Sequence, residues 1–322
     1  MKKDKINTYH MCKRVIIFLL VLSPIVSNAQ TDMQLSQQLF NRVYYNPAAA
    51  GASQYINGIA IARQQWAGFS GAPKQIVFSA DGYIPSIKSG LGLSAIVDKL
   101  GLENSINVNA SYAYHIRLGT NTNLSFGLGI GVLHRGVDRS KAIFSDNDPS
   151  DPDIAAFLQE GNKTELDFNF GLELNHENFT FGAAVTHLNN SSTARKDLVS
   201  GRHFYAYGRY RVELAPEWDL VPTLAAQNNI KSTQMEANLM AFYQKRYWLG
   251  AAYRINEKFK GESVVGMIGL YITDFLRLGY AYDLNVGDLG SYSSGSHEIM
   301  LGFRIKPKTR SYNKTPRLFL EY

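Results

Sequence analysis

From Ile56 to Ile305 the chain alternates apolar and polar positions with a period of two, in short runs broken by turn residues. In residues 106–116, Ile106, Val108, Ala110, Tyr112, Tyr114 and Ile116 share one face, and Asn107, Asn109, Ser111, Ala113 and His115 share the other, which Arg117 continues. Leu166, Phe168, Phe170, Leu172 and Leu174 oppose Asp167, Asn169, Gly171, Glu173 and Asn175, while Leu276, Leu278, Tyr280 and Tyr282 oppose Arg277, Gly279, Ala281 and Asp283. A period of two is the mark of a strand with two unlike faces. The pattern predicts 14 strands at about 56–65, 73–83, 90–98, 106–116, 122–134, 165–176, 178–187, 203–213, 219–228, 235–243, 247–255, 264–272, 275–283 and 297–305. Most are about 9–12 residues long, the length a tilted strand needs to cross a bilayer.

A soluble sandwich alternates too, so the connections carry the distinction. With both chain ends on one side, the connections after odd strands are 66–72, 99–105, 135–164, 188–202, 229–234, 256–263 and 284–296. Those after even strands are 84–89, 117–121, 214–218 and short steps at Glu177, Lys245-Arg246 and Thr273-Asp274. Each odd connection is longer than, or about equal to, its even neighbours. Long outer loops and short periplasmic turns belong to outer-membrane barrels, whereas a sandwich has no reason to sort loop length by parity. In lipid an open sheet edge would strand its N–H and C=O groups, so such a sheet must close, and an even strand count closes it antiparallel. The expectation is an all-β fold, a monomeric transmembrane antiparallel β-barrel of about 14 strands.

Residues 1–29 read as a cleaved signal peptide: a basic start, an apolar run from Val15 to Val26 too short for a spanning helix, and small Ser27 and Ala29 at the cleavage position. Lys2, Lys3, Lys5, Lys13 and Arg14 against Asp4 place +4 of the net +6 in the first 14 residues. The remainder is nearly neutral, which removes the case for nucleic-acid binding. The one cysteine, Cys12, lies in that same segment, so no disulfide or thiol chemistry is expected afterwards. The 19 Tyr, 17 Phe and 27 Gly suit strands with aromatic girdles. Trp66, Phe69, Trp218 and Trp248 fall near strand ends, where interfacial belts sit. Residues 30–55 form a polar N-terminal segment with a short amphipathic stretch, which fits either a periplasmic position or a plug in the lumen. Residues 306–322 form a basic tail expected in the periplasm.

The stretch from Leu39 to Pro85 contains two phrases, YNPAAAG and RQQWAGFSGAPKQIVFSADG. In order and spacing they resemble the N-terminal signature of the PorP/SprF family of outer-membrane proteins linked to type IX secretion in Bacteroidota. That resemblance implies a non-enzymatic barrel that assists the secretion or gliding machinery, or anchors a secreted cargo or adhesin through its C-terminal domain. It singles out Asn46, Pro47, Gly51, Arg63, Gln65, Trp66, Gly68, Phe69, Gly71 and Pro73 as motif positions. Two readings stand for them: turn and lumen structure, or docking of a partner protein. Outer-membrane lipid and periplasmic type IX machinery are the other implied partners.

Candidate chemistry is sparse. Arg117, Asp167, Glu173, Arg209, Arg211, Glu236, Arg254, Arg277, Asp283 and Arg304 fall on predicted inward faces. They suit a lumen of mutually satisfied ion pairs, or a ladder that selects an ionic solute. Asp146, Asp148, Asp151 and Asp153 cluster in the longest outer loop as a weak calcium candidate, without EF-hand spacing. The histidines are scattered with no metal-ligand spacing. Ser111 and His115 share a face but stand about 13 Å apart by strand rise, too far for a nucleophile and its base. No enzyme, cofactor or metal is expected. A general or solute-selective porin is the rival reading.

Overall fold

The computed structural model describes residues 34–53, 55–138, 162–189, 201–229, 232–287 and 294–307. The expected signal peptide, the Asp146–Asp153 cluster and all but the start of the basic tail lie outside them. The strands are β1 (Ile56–Gln64), β2 (Lys74–Ile84), β3 (Ser89–Leu100), β4 (Glu103–Arg117), β5 (Thr122–Val137), β6 (Lys163–His176) and β7 (Phe179–Thr186). Strand β8 comes in two pieces, His203–Tyr210 and Val212–Ala215, which keep one register against the next strand up to a bulge at its end. There follow β9 (Trp218–Asn229), β10 (Ser232–Tyr243), β11 (Tyr247–Asn256), β12 (Gly261–Tyr271), β13 (Leu276–Asn285) and β14 (Ser296–Ile305). Each pairs antiparallel with its neighbour, and β1 pairs with β14 from Ile56↔Ile305 to Gln64↔His297, so the sheet closes as a barrel of 14 strands.

The outward face is apolar along every strand and meets no protein: Leu128 is 62% exposed, Leu224 68% and Leu249 65%. In water such a belt would be an aggregation hazard; in a bilayer it is the solvated surface. The alternate positions face the lumen and are buried, among them Arg63, Asp167, Glu173, Glu236, Arg254, Arg277 and Asp283. Among the described residues no helix is long and apolar enough to cross a membrane.

Loop sorting by parity fails most clearly between β3 and β4. β3 reaches Leu100 and β4 starts at Glu103, so the connection expected over 99–105 shrinks to Gly101-Leu102. Gly101 takes φ +57°, which a tight hairpin turn demands. It is shorter than the opposite-end connections 85–88 and 118–121 on either side. The strands are longer than the bilayer requires and consume the loop. Of the other outer connections, 65–73, 138–162, 187–202 and 286–295 are long, whereas 230–231 is shorter than the opposite-end turn at 244–246 and 257–260 is no longer than that at 272–275.

Candidate functional site

The lumen is filled by the chain's own N-terminal segment. From Gln34 to Ser53 it runs from the long-loop end to the end that holds the barrel's termini. Ser36 meets Glu298, third residue of β14, and Ser53 meets Asn57, second residue of β1. Its local shape follows from its sequence. Gln38–Phe40 makes a 3-10 turn, and Arg42–Tyr45 a single helical turn, α1. Asn46 then accepts the Ala48 N–H at 2.9 Å and starts a 3-10 turn over Pro47–Ala49. Proline at that first position loses no hydrogen bond, because its N–H would be an orphan there. YNPAAAG is therefore a capped turn wedged in the lumen, with Asn46, Ala48 and Ala50 fully buried.

Near the long-loop end a buried ionic cluster holds the segment. Glu298 accepts the N–H groups of Ser36 (2.8 Å) and Gln37 (2.9 Å), and Asp283 accepts the Ser36 hydroxyl (2.6 Å). Arg63 pairs with Asp283 (2.5 Å) and Glu298 (3.2 Å). Arg254 pairs with Glu236 (2.7 Å) and Asp283 (2.6 Å) and donates to the Leu35 carbonyl (3.4 Å). Gln38 donates to Glu236 at 2.7 Å. Buried charge is tolerable only when paired and hydrogen-bonded, and here the segment's backbone completes the pairing.

Midway, the Phe40 ring packs 5.0 Å from Trp248 and 6.3 Å from Phe242, with Arg277 4.8 Å above it. Tyr45 packs 5.2 Å from Tyr205 and its hydroxyl accepts the Leu35 N–H at 2.9 Å. Lower down, Arg42 pairs with Glu173 at 2.5 Å, and Glu173 also accepts from Asn175 (2.7 Å) and Tyr207. Asn46 donates to the Leu172 carbonyl (2.9 Å) and to Tyr207 (3.1 Å). His115 donates through Nε2 to the Ala50 carbonyl (3.0 Å), and Asp81 accepts the Gly51 N–H (2.8 Å).

The wall yields space where this backbone presses. A Cβ on Gly127 would lie 2.0 Å from the Ala48 nitrogen, one on Gly171 1.9 Å from Asn46 Oδ1, and one on Gly90 1.9 Å from the Ala50 oxygen. Gly51 itself has φ +66° and abuts Gly90 Cα. Its place in the motif thus has a steric cause on both counts.

The motif positions separate into two groups. Asn46, Pro47, Gly51 and Arg63 are buried inside the barrel, which corrects the docking reading for these four, since no outside protein can touch them. Trp66, Gly68, Phe69 and Gly71 lie in the 65–73 connection at the long-loop end, with Gln65 and Pro73 at its roots. Trp66 has φ +49°, Gly68 +96° and Gly71 +76°. Ser294 N–H donates to the Ala67 carbonyl (3.0 Å), Ala67 N–H donates to the Gly295 carbonyl (2.7 Å), and Gly71 accepts the Gly101 N–H (3.0 Å). This loop is thereby tied to both neighbouring connections, and Phe69 stays 46% exposed.

Of the expected lumen charges, Asp167, Glu173, Arg209, Glu236, Arg254, Arg277 and Asp283 are buried. Asp167 joins a separate cluster with His187 (2.8 Å), Asn109 (2.8 Å) and Asn107 (3.2 Å). Three are corrected to the rim. Arg117 is exposed and donates to the Gly119 and Thr120 carbonyls. Arg211 is half-exposed at the break in β8. Arg304 stacks 4.2 Å from the Tyr271 ring, half-buried. Trp248 is also corrected: it is 2% exposed and faces the lumen against Phe40, whereas Trp218 is 44% exposed. Sequence reasoning missed Glu298 and Arg42. Glu298 was legible by parity between His297 and Ile299; nothing local marks Arg42. Among the described residues no group of His, Cys, Asp and Glu is arranged to hold a metal ion.

A family model described as type IX secretion system membrane protein PorP/SprF matches residues 27–303. No curated protein matches the chain. Similar solved structures include the Ralstonia pickettii toluene transporter TbuX, at 8% identity over 81% of this chain and 92% of that one, TM-score 0.49. The TodX deltaS2S3 mutant monoaromatic hydrocarbon channel gives 9% identity over 82% and 94%, TM-score 0.49. The Acinetobacter baumannii outer membrane protein Omp33 gives 9% over 79% and 99%, TM-score 0.45.

Proposed function

Because the chain belongs to the PorP/SprF family of type IX secretion system membrane proteins, we propose that it is a plugged, non-conducting outer-membrane platform. It anchors or assists a secreted cargo or adhesin, or the secretion and gliding machinery, and catalyses no reaction. The observation that carries this is the occupied lumen. A pore of this size passes solutes only if its interior is open, and residues 34–53 fill it with paired charge and aromatic packing. The long-loop end then becomes the working surface towards the cell exterior, with the tied 65–73 loop and exposed Phe69 part of it. The expected signal peptide, residues 1–29, delivers the chain to the envelope of a Bacteroidota-like cell, and the basic tail at 306–322 stays periplasmic, within reach of machinery there.

The test is a mild-detergent pull-down from native outer membrane with a tag after Tyr322, read by mass spectrometry beside planar-bilayer recordings. A stoichiometric secreted protein that is lost when residues 138–162 are shortened, with a silent bilayer, supports the platform. Recovery of the barrel alone with steady conductance rejects it in favour of a porin.

A further inference from the structure

At the terminus-bearing end, between the inserted segment and the wall, lies a cavity of about 580 Å³ including its mouth. Its lining includes Arg42, Arg209, Arg277, Asp81 and Asn57. Arg277 is 3% exposed, and Gly302 vacates the space its side chain takes: a Cβ there would lie 2.5 Å from Arg277 Nε. Its Nη1 donates to the Tyr271 hydroxyl at 3.1 Å, and its guanidinium lies 4.8 Å above Phe40. Among the described residues no carboxylate pairs with it, and its buried Nε has no hydrogen-bond partner. The nearby carboxylates are already committed. Glu173 takes Arg42, Asn175 and Tyr207; Asp81 takes Gly51 and Asn57. Arg42, Arg209 and Arg277 line the cavity beside a single lining carboxylate, Asp81. A buried guanidinium without a counter-charge is costly, and the planar fork matches an oxyanion in two places.

We propose that this cavity binds a small oxyanion of the phosphate or carboxylate class, admitted from the periplasmic side and held chiefly by Arg277. A lipid headgroup is a poor source for it. The cavity lies inside the closed wall, which acyl chains do not cross without breaking strand pairing. The inference stands on the cavity alone and survives if the platform reading fails.

The test is isothermal titration of the full chain, purified in a phosphate-free non-ionic detergent buffer, with inorganic phosphate and separately with succinate. Saturable one-site binding to the parent protein is expected, weakened on the order of tenfold or more in Arg277→Gln, as loss of a charge-assisted contact requires. It is expected unchanged in Lys88→Gln, which removes an exposed cation at the same end. No saturable binding at millimolar anion overturns the proposal. So does equal weakening in both variants, which marks diffuse charge attraction, and so does parent-like binding in Arg277→Gln. Should Arg277→Gln fail to fold, Arg277→Lys replaces it, keeping the charge but not the fork; weaker binding supports the site and parent-like binding rejects it.

Discussion

Gly127→Ala tests the seating of the plug without touching any strand pairing. The added Cβ would lie 2.0 Å from the Ala48 nitrogen and 2.3 Å from the Pro47 carbonyl carbon, both backbone atoms that cannot rotate away. Restoring van der Waals distance requires the turn to retreat by roughly 1.5 Å. That retreat carries the Asn46 contacts to the Leu172 carbonyl (2.9 Å) and Tyr207 (3.1 Å) past hydrogen-bond range. Two lost bonds at about 1 kcal/mol each, with overpacking of about 1–3 kcal/mol, give at least about 3 kcal/mol against the seated state. At about 1.4 kcal/mol per decade this is roughly a hundredfold shift towards unseated plug. Planar-bilayer recording reads it as transient openings absent from the parent. Gly266→Ala is the control, since nothing lies within 4 Å of a Cβ there. If Gly127→Ala is as silent and as protease-resistant at residues 34–53 as Gly266→Ala, the steric argument for wall glycines as a plug seat fails.

Removal of residues 34–52 is expected to leave a folded, heat-modifiable barrel with steady conductance; a silent barrel would show that the plug is not what closes it. Glu173→Gln takes the counter-charge from buried Arg42 and weakens the Tyr207 and Asn175 bonds. It should cost about 3–5 kcal/mol in urea-induced unfolding from vesicles, the range for a broken buried pair. Leu128→Arg, midway along β5 on the lipid face, should cost about 2–4 kcal/mol in the same assay, whereas the rim change Arg117→Ala should be nearly neutral.

All 14 strands were legible because each carries its own evidence: a period of two needs no knowledge of neighbours. The plug was one of two positions open to residues 30–55, and the sequence could not choose between them because the deciding evidence is remote. Ser36 is satisfied by Asp283 and Glu298, and Asn46, ten residues on, by Leu172 and Tyr207, so the partners of one short segment lie on opposite walls. A 20-residue polar stretch looks identical in sequence whether water or a lumen supplies those bonds. Trp248 was misassigned for a related reason. Proximity to a strand end suits a membrane belt, but Tyr247 and Leu249 are exposed on either side, so parity already pointed Trp248 inward.

A lumen enclosed by 14 strands is wider than wall side chains alone can fill, so it must hold water or chain. This barrel divides the task around its circumference. On β3 and β5 the wall offers Gly90 and Gly127, where backbone lies against backbone, and on β6 Gly171, which admits the Asn46 side chain. On β1, β10, β11, β13 and β14 it offers Arg63, Glu236, Arg254, Asp283 and Glu298, which require the segment's N–H groups and hydroxyl to complete their pairing. One side would be left with an unfilled trough, and the other with under-paired charge, if the segment left. A gated pore needs a plug whose departure costs little. Steric fit on one wall and charge completion on the other both oppose departure, and that favours a closed scaffold whose outer surface, rather than its interior, does the binding.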